Sequence, residues 1–220
     1  MKIVLLPGLD GTGDLFEPIL NELPKNIDVV VIKYNNSKKQ TYKELVEYVA
    51  TQLPKDDFIL VAESFSGYIA YKIGLKRFKN LKHIVFVATF LTNPRAIMLN
   101  LIPSFIFRLR IPKLIIKWLF LGFNTDKNII NLFQKTINNI ATDIIKFRLQ
   151  EIKKLKPTNN KLNLPTTYIQ ATQDYLVPTE SLKDFQKLCQ NLKVYQIRGK
   201  HLIVQSNPKD CAKIINSLNA

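Results

Sequence analysis

The chain has 220 residues, a formal net charge of +15 and a hydrophobic fraction of 46%, which suits one domain with a large core and room for an inserted lobe. Its two cysteines, Cys189 and Cys211, are too few for a disulfide framework and lack zinc-site spacing; both fall in helix-like segments and read as reduced thiols. The N-terminal apolar run is too short for a signal-peptide core, and no stretch reaches the roughly 18 apolar residues of a membrane span, so the expectation is a soluble, cytoplasmic protein with no metal site.

Residues 2–6 are almost continuously apolar and predict a buried strand, followed by the small-residue turn Pro7-Gly8-Leu9-Asp10-Gly11-Thr12-Gly13. A helix over 14–23 ends before Pro24, and a β-branched run within 27–34 predicts the second strand. Residues 41–53 carry Leu45, Val46, Val49 and Leu53 at helical spacing, with Thr41 as N-cap. Strand 58–62, helix 66–75 and strand 81–88 come next. The sheet pattern resumes at 166–171 and 193–198, and a last helix covers 210–218. The strands are apolar throughout rather than alternating, which belongs to a parallel sheet covered by helices on both faces. Between two of them, residues 92–156, punctuated by Pro94, Pro103 and Pro112, read as helices only. They predict a helical lid, with 1–91 and 157–220 as the core.

Ser64, Asp174 and His201 each stand just after a predicted strand. A serine hydroxyl is a poor nucleophile unless a base takes its proton and an acid orients that base. In Ala62-Glu63-Ser64-Phe65-Ser66-Gly67, small residues two before and two after the serine suit a sharp strand-to-helix turn. The plain alternative is an ordinary βα turn with Ser64 as helix N-cap. Gly8, Gly11 and Gly13 lack the G-x-G-x-x-G spacing of a dinucleotide site. The expectation for that loop is an oxyanion hole, with the Leu9 and Phe65 amides converging on a developing alkoxide; a simple tight turn is the alternative. Asp174 is expected in the loop beyond its strand, with Val177-Pro178 starting the next helix. His83, at a strand start on the far edge of the sheet, reads as a surface histidine.

These motifs resemble the α/β-hydrolase superfamily over the whole chain, in the order serine, acid, histidine. Leu6-Pro7-Gly8-Leu9-Asp10-Gly11-Thr12-Gly13 is similar to the first-strand loop of a branch of esterases and acyltransferases. The stretch from Asp174 to Pro178, and Gly199-Lys200-His201 with Asn207-Pro208, resemble the acid and histidine loops. The resemblance implies an α/β-hydrolase fold: a mostly parallel central sheet with helices on both faces and a small helical lid inserted before the acid-bearing strand. It implies Ser64 as nucleophile, His201 as base, Asp174 as orienter, Leu9 and Phe65 as oxyanion donors, and no cofactor. Ala62 and Ser66 stand where glycines are usual, and Pro7 where histidine is common.

Superfamily membership does not fix the reaction. Residues 92–156 hold twelve lysines and arginines against Asp126, Asp143 and Glu151, so +9 of the chain's +15 lies there, interleaved with aliphatic and aromatic side chains. A cationic apolar lid suits an acyl chain carried by something negative. One such carrier is acidic acyl carrier protein; in size and plan the chain is similar to the pimeloyl-acyl-carrier-protein methyl ester esterases of biotin synthesis. Arg108, Arg110, Arg148, Lys153 and Trp118 are the candidate substrate or partner contacts. The other carrier is an anionic lipid surface, touched peripherally by a lysophospholipase, monoacyl lipase or thioesterase. A solvated basic face is the bland alternative. Nucleic acid is not expected, for want of a recognition motif, and a catalytically inactive binding module on this fold is the non-enzyme reading.

Overall fold

The structure is a computed structural model, and it describes residues 1–94 and 111–218. Six strands form one sheet in the order β2-β1-β3-β4-β5-β6: β1 Lys2–Leu6, β2 Val29–Val31, β3 Phe58–Glu63, β4 Leu81–Val87, β5 Leu162–Ala171 and β6 Cys189–Ile197. Every neighbouring pair is parallel. Parallel neighbours need crossover connections, and helices supply them on both faces.

The pleat sorts the apolar strand residues onto the two faces. Val4 and Leu6 of β1, with Phe58, Leu60 and Ala62 of β3, enter one core beneath α2 (Tyr42–Gln52), α3 (Gly67–Leu75) and α7 (Ser181–Leu188). Ile3, Leu5, Ile59 and Val61 enter the other, beneath α1 (Glu17–Glu22) and α9 (Pro208–Ser217), with the short α8 (Ile203–Ser206). This is why β1 and β3 carry no polar alternation; β6, at the sheet edge, is exposed over most of its length and holds Gln190, Asn191, Lys193 and Gln196. The α2 start is a capping box: Thr41 Oγ1 accepts from the Glu44 amide and Glu44 Oε2 accepts from the Thr41 amide.

Between β4 and β5, the described part of the chain is helical: α4 (Lys113–Ile115), which runs on as a π-helical stretch Ile116–Leu121, then α5 (Lys127–Asn138) and α6 (Thr142–Lys153). These helices lie beyond the C-terminal ends of the strands and close over the loop after β1.

Several sequence expectations are corrected. Cys189 begins β6 rather than lying in a helix; both cysteines are free and buried. His83 is on β4, an interior strand of the sheet, half-buried and bonded to Thr167 Oγ1 at 2.9 Å. Burial, then the nearby Lys193 charge, lowers its pKa to about 4. The second strand is only three residues long, and α7 starts at Ser181, beyond Pro178. Among the described residues no helix is long and apolar enough to cross a membrane.

Candidate active site

Parallel strands bring their C-terminal ends to one edge of the sheet, and the loops beyond β1, β3, β5 and β6 meet there. Ser64 follows β3 directly, with φ of 68°. A non-glycine residue in this left-handed region carries strain of about 1–2 kcal/mol. The strain turns the side chain out of the sheet edge between β3 and α3. The Ser64 carbonyl is held from behind by the Thr89 hydroxyl. Ser66, standing where the elbow pattern has glycine, donates its hydroxyl to the Pro7 carbonyl and meets the Tyr34 hydroxyl at 2.5 Å. The departure from glycine thus ties the elbow to the loop after β1.

Ser64 Oγ is 2.9 Å from His201 Nε2, and His201 Nδ1 is 2.7 Å from Asp174 Oδ2. The acid's other oxygen accepts from the Leu176 and Val177 amides at 2.7 and 3.0 Å. With Asp174 accepting at Nδ1–H, Nε2 is left as the acceptor that faces the serine hydroxyl. Burial pulls the His201 pKa down, but the Asp174 charge and hydrogen bond, helped by Glu63, outweigh it and the net shift is upward.

Leu9 and Phe65 line a cavity with Ser64 and His201; its free volume is about 110 Å³, and its wall is mostly apolar, including Phe90, Phe120, Phe133 and Ile145. The loop after β1 is shaped by Asp10, whose Oδ2 accepts from the Thr12 amide and hydroxyl at 2.9 and 2.6 Å and from the Gly13 amide. Among the described residues, no three His, Cys, Asp or Glu side chains gather to hold a metal ion.

No family model matches the sequence, and no curated protein matches it. Solved structures do. A lipase-esterase related protein from Clostridium acetobutylicum superposes with a TM-score of 0.78 at 17% identity, over 98% of this chain and 93% of its own. An esterase from Exiguobacterium antarcticum gives 0.81 at 13% identity, over 99% and 91%. An enol-lactonase from Burkholderia xenovorans gives 0.79 at 12%, over 99% and 91%. The fold is the α/β-hydrolase fold.

On this α/β-hydrolase scaffold the five residues expected at the reaction centre come together. The described candidate partner contacts do not. Arg108 and Arg110 lie outside the described residues. Lys153 is exposed at the end of α6. Trp118 is 43% exposed and packs on Tyr175 with ring centroids 5.5 Å apart, while Lys200 Nζ lies 3.7 Å over the same Tyr175 ring. Tyr175 follows the acid and Lys200 precedes the histidine, so this stack stands at the rim of the site. Arg148 is a correction: it is 3% exposed, and its guanidinium is bonded to the loop after β1 instead of facing a partner.

One site residue escaped the sequence reading. Glu63, the variable position before the serine, is 1% exposed; Oε2 accepts from Gln205 Nε2 at 3.1 Å, and Oε1 has no hydrogen-bond partner among the described residues. Burial first, then the Asp10 charge, raises its pKa from 4.5 to about 7. A carboxylate at the end of a fully buried strand is the only sequence signal for it. The raised pKa means the folded chain keeps a proton that the unfolded chain loses from about pH 4.5 upward. The resulting stabilisation is full below that range and is lost as pH rises through about 7. Glu63→Gln is therefore expected to raise the melting temperature at pH 8 relative to wild type. Melting curves of both proteins from pH 5 to 9 check this; a variant that melts no higher than wild type at pH 8 would contradict it.

Proposed function

We propose that this protein is a serine carboxyl-ester hydrolase that works through an acyl-enzyme. The observation that carries the reading is the hydrogen-bonded line from Ser64 through His201 to Asp174, opening onto an apolar cavity. In this mechanism His201 Nε2 takes the Ser64 proton as Oγ attacks the ester carbonyl. The Leu9 and Phe65 amides hold the oxyanion, and His201 gives the proton to the leaving alkoxide, which departs as alcohol. A water, deprotonated by His201, then cleaves the acyl-enzyme, releasing the carboxylic acid and restoring Ser64.

The finer proposal concerns the carrier. The cationic surplus in 92–156 favours an acidic carrier, and we take the substrate to be the methyl ester of an acyl chain on acyl carrier protein, as in biotin precursor synthesis. Lys153 and Trp118, with Arg108 and Arg110, remain the proposed contacts, without Arg148. The exposed Leu114, Trp118 and Phe123 favour a second reading, a monoacyl ester at an anionic lipid surface. In either case the enzyme acts without a cofactor.

The test is turnover of a methyl-ester acyl-carrier substrate beside the same acyl group on a p-nitrophenyl ester and on a monoacyl lipid in anionic vesicles. A carrier preference that weakens as salt rises is expected, since exposed charge pairs are screened over about 10 Å at 0.1 M salt. Salt-independent turnover no better than on the small ester would contradict the carrier proposal, and a vesicle preference would replace it with the lipid reading.

A further inference from the structure

Arg148 sits on α6, 138 positions along the chain from Asp10, yet its guanidinium is buried against the loop after β1. Nη1 donates to the Leu9 carbonyl at 2.9 Å and the Asp10 carbonyl at 2.8 Å; Nη2 donates to Asn36 Oδ1 at 2.8 Å. Asn36 Nδ2 in turn donates to the Asp10 carbonyl at 3.2 Å. The guanidinium carbon lies 5.7 Å from the centre of the Tyr34 ring. Among the described residues no carboxylate pairs with Arg148: the nearby Asp10 carboxylate is taken up by Thr12 and Gly13. The Asp10 charge favours the buried guanidinium only through space, and the guanidinium's hydrogen bonds all go to carbonyls; that is a costly way to fasten a helix, so its position points to what the carbonyls do.

The Gly8 carbonyl accepts from the Gly11 amide at 3.2 Å. Gly8 C=O and Leu9 N–H belong to one trans peptide plane, so fixing the carbonyl fixes the direction of the amide. Gly11, at φ of 68°, closes that turn, and the guanidinium lies directly against it: an added Cβ would fall 2.6 Å from Nη1. Arg148 thus grips the next two carbonyls of the same turn, leaving the Leu9 amide no loose neighbour. We infer that Arg148 is a positioning residue that sets the Leu9 amide for the oxyanion, coupling the seating of α6 to the completeness of the oxyanion hole. This rests on the acyl-enzyme reading above.

The experiment measures kcat and KM on a p-nitrophenyl ester for wild type, Arg148→Gln, Arg148→Lys and Asn36→Ala. Alongside, it measures the affinity of a trifluoromethyl ketone that forms a tetrahedral adduct on Ser64. Loss of one oxyanion donor costs about 100–1000-fold in kcat, so a misplaced one in Arg148→Gln is expected to cost about 10–100-fold, with ketone affinity falling in parallel and KM changing by less than about threefold. Arg148→Lys should recover part of the loss, and Asn36→Ala should show a smaller loss of the same kind. Glu151, through Oε2 to the Tyr42 amide at 3.1 Å, still anchors α6 in these variants. Should Arg148→Gln fail to fold, the lysine and Asn36 variants carry the test. Melting temperatures that fall while kcat and ketone affinity hold would overturn the inference and leave Arg148 a lid anchor. A wild-type protein that forms no adduct on Ser64 would instead sink the acyl-enzyme reading beneath it.

Discussion

Ser64→Ala is expected to lower turnover by about ten-thousandfold or more, because the remaining His201–Asp174 pair has no nucleophile to activate and only binding and oxyanion contacts are left. The fold should survive. Alanine at this position inherits the left-handed φ of 68°, adds no new strain and loses one hydrogen bond, to His201. Ser64→Gly should lose as much activity but melt higher than Ser64→Ala, since glycine relieves about 1 kcal/mol of strain at positive φ. The pair separates chemistry from stability: equal inactivity with unequal melting is the expected pattern. Turnover by folded Ser64→Ala within about tenfold of wild type would mean that another group performs the chemistry.

The second large effect falls on stability and activity together. Gly67 opens α3 with an ordinary helical φ of −59°, so its need for glycine is steric. A Cβ there would lie 1.9 Å from Thr89 Oγ1 and 2.8 Å from Thr89 Cβ. Thr89 is fully buried, its hydroxyl donates to the Ser64 carbonyl, and its own carbonyl accepts from the Tyr168 hydroxyl at 2.7 Å. Thr89 therefore has nowhere to retreat without releasing the elbow. Gly67→Ala is expected to destabilise by about 1–3 kcal/mol, as overpacking of a tight core does, and to lower kcat in whatever folds. Denaturant melts and kinetics on the soluble fraction measure it; a variant that matches wild type in both would show that the helix and Thr89 can part freely.

Much of the fold was readable because β1, β3 and most of β4 are buried on both faces. Runs such as Ile3 to Leu6 and Phe58 to Ala62 have no polar side to hide, and that continuity marks a parallel sheet. Ser64 was readable because it closes such a run, and Asp174 and His201 because each follows a predicted strand by a few residues; a parallel sheet gathers those ends at one edge. What the pattern could not convey is contact between distant elements. Arg148 looks in sequence like any cation on an amphipathic helix, and only the packing of α6 over the first loop buries it. His83 looked peripheral because its strand's place in the sheet order is a tertiary fact. Glu63 occupies the variable position of a motif and carries little signal of its own, although its burial puts a titrating carboxyl beside His201. Cys189 was misread because a short amphipathic helix runs directly into a strand there, with no turn residue to separate the two.

The most direct test of the central claim is to treat the folded wild-type protein with a fluorophosphonate and locate the adduct by peptide mass mapping. An acyl-enzyme mechanism predicts one stoichiometric adduct on Ser64, formed far more slowly in His201→Ala and absent in Ser64→Ala. A folded wild-type chain that takes up no label, or takes it up with Ser64 unmodified, would contradict the assignment of Ser64 as an activated nucleophile.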